Sequence, residues 1–329
     1  MDSMPNRQQL IRTVRGDLPS TPWGWTNSHA HLNCVLSSEF KDFPLYEQYA
    51  NDDATFNFDD TFPDFELFAK AGGYALIDTT PIGLGRVPEL LRIASERTDV
   101  HIIAATGIYH DPLIPKQITQ MNDRQICQYF VEEITKGIGG TDIKAGMIKI
   151  ATYKGPMTEM EKAIFRAAAW ASQETGVSIT THTYLGRNAL EQIDVLTKHG
   201  ADPGQVVIGH LDDGDIDQDL IRAIVERGAY VQFDAIGCEY YTERLGSQMP
   251  TDEQRLETIL ALAEDGIAER VMIGSDLCRK KHLRKNGGPG FAHLITGFLD
   301  LARVIGVPQS LLEQCMISNP SNVLTMRKC

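Results

Sequence analysis

No apolar run in the sequence approaches the ~20 residues that a helix needs to cross a bilayer. The opening stretch MDSMPNRQQLIRTVRGDL lacks the apolar core that a secretory signal carries. No two of the six cysteines, at 34, 127, 238, 278, 315 and 329, are spaced as CxxC. Free thiols in a reducing cytoplasm are therefore the expectation. Positive charge is scarce: 31 Lys and Arg stand against 44 Asp and Glu, a net charge of −13. General affinity for nucleic acid or an anionic membrane needs a basic surface, so neither is an expected partner. Internal repeats, low-complexity tracts and dividing linkers are missing too. With 42% hydrophobic and 23% charged residues the composition is that of a globular chain.

What is present is a rhythm. Short runs rich in β-branched or small apolar residues end in a polar residue, and each is followed by a loop and a longer amphipathic segment. The runs are 23–31, 74–80, 101–107, 145–151, 177–182, 205–210, 229–234 and 270–276. Their continuous apolar character is that of parallel strands covered on both faces. Helices are expected over 86–96, 125–136, 158–175, 215–227, 251–265 and 292–304. Thr158 with Glu161 three residues on reads as a capping box, and Gly176 and Gly228 read as stops. Eight strand-helix units close most simply into a (β/α)8 TIM barrel, a single domain over residues 1–329. The runner-up, an open doubly wound sheet, wants a glycine-rich phosphate turn after its first strand, and none is there.

Two stretches interrupt the rhythm. Residues 34–64, after the first strand, are rich in acids and aromatic rings, suiting a cap over the barrel mouth, a homodimer contact or a solvated connection. Residues 277–290, after the last strand, read LCRKKHLRKNGGPG and hold five bases, Arg279, Lys280, Lys281, Arg284 and Lys285.

Four of nine histidines, His29, His31, His182 and His210, sit at the last positions of expected strands, and Asp276 ends the last one. In a barrel all five point into the C-terminal mouth, where barrel enzymes keep their chemistry. His29 and His31 are two apart and share a face. Four imidazoles and a carboxylate suit a divalent transition metal such as zinc or manganese. Lys149, near the end of the fourth strand, is costly to bury as an unpaired cation. Deprotonated in a desolvated site, it could add CO2 to give a carbamate, a two-oxygen anion able to bridge two metals.

The motifs HAH at 29–31, IK at 148–149, TH at 181–182, GHLDD at 209–213 and GSD at 274–276 resemble those of the phosphotriesterase family of the amidohydrolase superfamily. DTTPIGLGR at 78–86, ATGIYH at 105–110 and RAAAWASQETGVSITTHT at 166–183 extend the resemblance over nearly the whole chain. It implies a binuclear centre of zinc, or of manganese or cobalt. His29, His31 and Asp276 would hold the more buried ion, His182 and His210 the more exposed one, and carboxylated Lys149 would bridge them. Attack by a metal-bridging hydroxide on a carbonyl or phosphoryl centre is the expected reaction. Asp276 would accept the proton and pass it outward by way of Asp234 or Asp213.

The basic loop at such a mouth suggests an anionic small-molecule substrate. RKKHLRKNGG resembles the loop of the branch that opens phosphorylated sugar lactones, which implies phosphate contacts from Arg279 and His282, with His where that branch commonly has Tyr. Tyr109 matches a pocket-lining position of lactonase relatives. The expected function is thus a metal-dependent lactonase acting on an anionic or phosphorylated sugar lactone. Hydrolysis of another ester, an amide or a phosphotriester on the same metals stands as the alternative, and a non-catalytic binding protein as the alternative of a different class.

Overall fold

The computed structural model describes residues 9–35, 40–42, 57–242 and 246–327. Its strands are β1 (Leu10–Thr13), β2 (Gly16–Pro19), β3 (Thr26–Ala30), β4 (Ala75–Asp78), β5 (His101–Ile108), β6 (Met147–Ala151), β7 (Ser178–His182), β8 (Val206–Ile208), β9 (Tyr230–Phe233), β10 (Tyr241–Thr242), β11 (Ser247–Gln248) and β12 (Val271–Ile273). Eight of them, β3 to β9 and β12, form one parallel sheet in sequence order. The seam between β3 and β12 is bridged by Ser28 Oγ donating to the Ile273 carbonyl (2.6 Å) and by Asn27 Nδ2 donating to Ser275 Oγ (2.8 Å). With helices between the strands, this is the expected (β/α)8 barrel.

Side chains alternate across the barrel wall. Leu76, Ile102, Ala104, Ile148, Ile150, Ile179, Val206, Ile208, Val231 and Ile273 pack outward against the helices. Ala75, Ile77, Ile103, Met147, Val207, Tyr230 and Met272 fill the lower interior, together with Ile11 of the β1–β2 hairpin and Val323 and Leu324 of the C-terminal helix Asn319–Leu324. Period two then dictates the next interior layer: Lys149 follows Met147 by two residues, and Gln232 follows Tyr230 by two. The interior is apolar at its foot and polar at its mouth for this reason.

Thr158 and Glu161 form the expected capping box of helix Glu159–Thr175, and Gly176 closes it in the left-handed conformation (φ 75°). Five α-helices of the described residues are additional to those expected, two of them longer than six residues. Phe58–Lys70 follows the first strand and overlaps the acid-aromatic stretch. It buries Phe58, Phe62, Phe65 and Phe68, so these rings are core and not a cap. The remainder of that stretch, 36–39 and 43–56, lies outside the described residues, as do the rings of Phe43, Tyr46, Tyr49 and Phe56. Ala189–Lys198 follows β7.

The candidate metal centre

In β3, β4, β8, β9 and β12 the strand ladder ends before the run expected from the sequence does, while β5, β6 and β7 reach or pass its end. His29 lies in β3 with His31 just beyond it, and His182 is the last residue of β7. His210 comes two residues after β8 and Asp276 three after β12, both with left-handed backbone (φ 58° and 36°). Non-glycine residues pay a conformational cost there, and such strain concentrates at functional sites. Asp276 is held in place by its backbone N–H, which donates to the His29 carbonyl at 2.9 Å across the seam.

All six residues proposed as ligands, His29, His31, Lys149, His182, His210 and Asp276, line one pocket. Ligand atoms of His29, His31 and Asp276 fall within 4.8 Å of one another. Asp276 Oδ1 is 3.1 Å from His31 Nε2 and 3.5 Å from His29 Nε2. The ring centroids of His182 and His210 are 4.4 Å apart, and those of His29 and His210 are 5.0 Å apart. Gly107, opposite Lys149 in the β5–β6 register, leaves room for that strand: a Cβ there would lie 1.8 Å from the Lys149 carbonyl.

The electrostatics fit a cation-binding site. Lys149 is 2% exposed, and its Nζ lies 3.4 Å from His29 Nε2, with no carboxylate of the described residues within 4.0 Å. Burial lowers its pKa to about 8 against the pull of Asp234 and Asp276. Burial, and then the Lys149 charge, take His29 down to about 4. Burial also disfavours charge on His210, but Asp234 reverses this and brings it up to about 9. For Asp276, burial is outweighed by the His31 hydrogen bond and the fields of His29 and His210, which hold the carboxyl well below its usual range. The donor set therefore combines imidazoles, an ionised carboxylate and a desolvated amine, and it fits divalent metal.

A second layer orients these groups. Asp234, 0% exposed, lies 2.9 Å from His210 Nδ1 and 3.1 Å from His29 Nδ1, behind the rings and away from the pocket wall. Asp213 lines the pocket itself. Thr80 Oγ1 is 2.8 Å from His31 Nδ1, and Gln232 Oε1 is 3.4 Å from His29 Nδ1. Sequence reading missed Thr80 and Gln232. The signal for Gln232 was a lone amide inside an apolar strand, two residues before Asp234 and thus on the same face.

The substrate side is less basic than the sequence suggests. Tyr109 lines the pocket with its hydroxyl 3.4 Å from His182 Nδ1, and Arg279 lines it too. His282 is buried outside that lining, with Nε2 2.8 Å from the Tyr240 hydroxyl. Lys281 lies over the Tyr240 ring at 3.7 Å, and Lys285 pairs with Asp60. Asp64 accepts the backbone N–H of Arg284 at 2.8 Å. Lys281 is thus engaged by a ring, and the Lys285 side chain and the Arg284 backbone amide anchor the loop to helix Phe58–Lys70. Leu84, Leu113, Pro81, Cys34 and Cys278 complete the pocket wall.

Comparison with known proteins agrees with this geometry. The sequence model of the phosphotriesterase family matches residues 9–324. The chain is 35% identical over 304 residues to the phosphotriesterase homology protein of Escherichia coli K12, covering 91% of this chain and 97% of that one. It is 31% identical over 265 residues to the N-acetyltaurine hydrolase of Homo sapiens, covering 79% and 76%. The crystal structure of a lactonase from Listeria monocytogenes superposes with a TM-score of 0.85 at 26% identity, covering 97% of this chain and all of that one (100%). With the ligand-type side chains gathered at one barrel mouth and a match of this extent, the chain belongs to the phosphotriesterase family and is a metal-dependent hydrolase.

Proposed function

We propose that the protein opens a lactone carrying an anionic group, with an anionic or phosphorylated sugar lactone as the substrate class. The observation that carries this reading is the presence of Arg279 on the wall of the pocket that gathers His29, His31, Lys149, His182, His210 and Asp276. Those six residues, with Lys149 carboxylated, would hold divalent metal, which would acidify a water and polarise the carbonyl oxygen. Asp276 accepts the proton of the attacking water. Of the two carboxylates considered for outward transfer, Asp213 has access to the pocket, whereas Asp234 is enclosed behind His210 and His29. Tyr109, Leu84 and Leu113 offer a ring-sized apolar wall. The Arg279 guanidinium offers paired donors to a carboxylate or phosphate. With His282 outside the lining, anion recognition rests on Arg279.

A second reading is favoured by the N-acetyltaurine hydrolase relative, whose name specifies an amide bearing a sulfonate. The same nucleophile and the same arginine would serve such a substrate. Rates on phosphorylated lactones, plain lactones and N-acetyltaurine, measured for wild type and R279A, separate the readings. The lactone reading expects the fastest turnover on the anionic lactone, with R279A losing about tenfold or more on it and little on the plain one. Turnover confined to the amide would establish the second reading. Equal losses on both lactones would remove the role of Arg279.

A further inference from the structure

Arg255, on helix Asp252–Glu264, is the bulkiest fully enclosed side chain of the described residues, with 0% exposure. It is not in the pocket lining. Its Nε donates to Asp212 Oδ2 at 2.7 Å. Nη1 donates to the Pro250 carbonyl (2.7 Å) and to Asp252 Oδ1 (3.1 Å). Nη2 donates to the carbonyls of Cys238 (3.1 Å) and Asp212 (3.5 Å). The fork of a guanidinium is therefore fully used, which a lysine ammonium cannot reproduce. Asp212 in turn accepts the backbone N–H groups of Asp234 (2.9 Å) and Ala235 (3.2 Å). Those two amides carry the Asp234 side chain that orients His210 and His29.

We infer that Arg255 is a positioning residue for the metal centre, acting through Asp212 and the 234–235 turn to aim Asp234 at His210 and His29. This rests on reading those histidines as ligands. Without Arg255, the Asp212 carboxylate is a buried charge lacking its cation, and the turn loses the acceptor that fixes it. The distinguishing consequence is a loss of metal affinity beyond any loss of stability.

The test titrates metal-stripped protein with zinc against a chromophoric chelator and follows thermal melting of the same samples. R255K and D212N are compared with R86M, which breaks the buried Arg86–Glu133 pair (2.7 Å) outside the pocket lining. Expected is a 10- to 100-fold weaker zinc affinity in R255K and D212N, roughly the range for outer-shell ligand partners. R86M should melt earlier yet keep wild-type affinity. Should R255K not fold, D212N, nearly isosteric with wild type, gives the same readout. Wild-type affinity in folded R255K or D212N overturns the inference, as does an equal affinity loss in R86M. A wild-type protein that takes up no zinc, manganese or cobalt overturns the ligand reading itself, and the inference with it.

Discussion

At the scale of single residues, the site concentrates groups that are uncomfortable without a cation. Lys149 is the sharpest case, an enclosed amine facing an imidazole. K149M should lower metal stoichiometry, read by elemental analysis, while the metal-stripped variant melts no earlier than stripped wild type, because a buried amine with no carboxylate partner among the described residues is exchanged for an apolar side chain of similar length. D276N with metal retained should cost at least about 100-fold in kcat, the low end for general-base catalysis. Full activity in metal-loaded D276N would remove its role as base. These residues were legible because type and position coincide: imidazole, carboxylate and amine stand at the ends of apolar runs. Thr80, Gln232 and Arg255 were not. Their importance lies in which neighbours they touch, and those neighbours come from other strands and helices. His282 shows the converse, since its place in a basic string suggested an anion contact while the fold turns its ring toward Tyr240.

At the scale of elements, the expected strands all form, but the sequence cannot show where the ladder stops. The runs at 205–210 and 270–276 continue through a glycine to a polar end, yet β8 and β12 close at Ile208 and Ile273, ahead of the left-handed His210 and Asp276. Helix Ala189–Lys198 escaped notice for a local reason: its N-cap, Asn188, is itself left-handed and makes no side-chain capping bond. Helix Phe58–Lys70 was hidden by its acids and by Pro63, although Phe58, Phe62 and Phe65 repeat at helical spacing. The capping box of Glu159–Thr175 was readable outright, and T158A should cost about 1 kcal/mol in denaturant unfolding. G107A should cost more than about 3 kcal/mol, since its Cβ meets the Lys149 backbone and its φ of 138° disfavours a side chain. A G107A protein as stable as wild type would show that β5 and β6 can separate at no cost.

At the scale of the whole molecule, binding of metal to the folded state alone links the site to global stability. Zinc at a hundredfold excess over its dissociation constant should add about 2.7 kcal/mol per site, and a chelator should abolish that increment in melting experiments. The barrel was legible as a whole from eight repeated units, while the hairpin β1–β2 and the C-terminal helix that plug its foot were not, because they interrupt no rhythm. The junction of β3 with β12 has a temporal consequence. His31 and Asp276 meet there although 245 positions separate them along the chain. During synthesis these two side chains cannot meet until the final stave has left the ribosome, so on the proposed ligand set a half-made chain would lack a competent hydrolytic centre, and an ion held there would be a clasp fastened last.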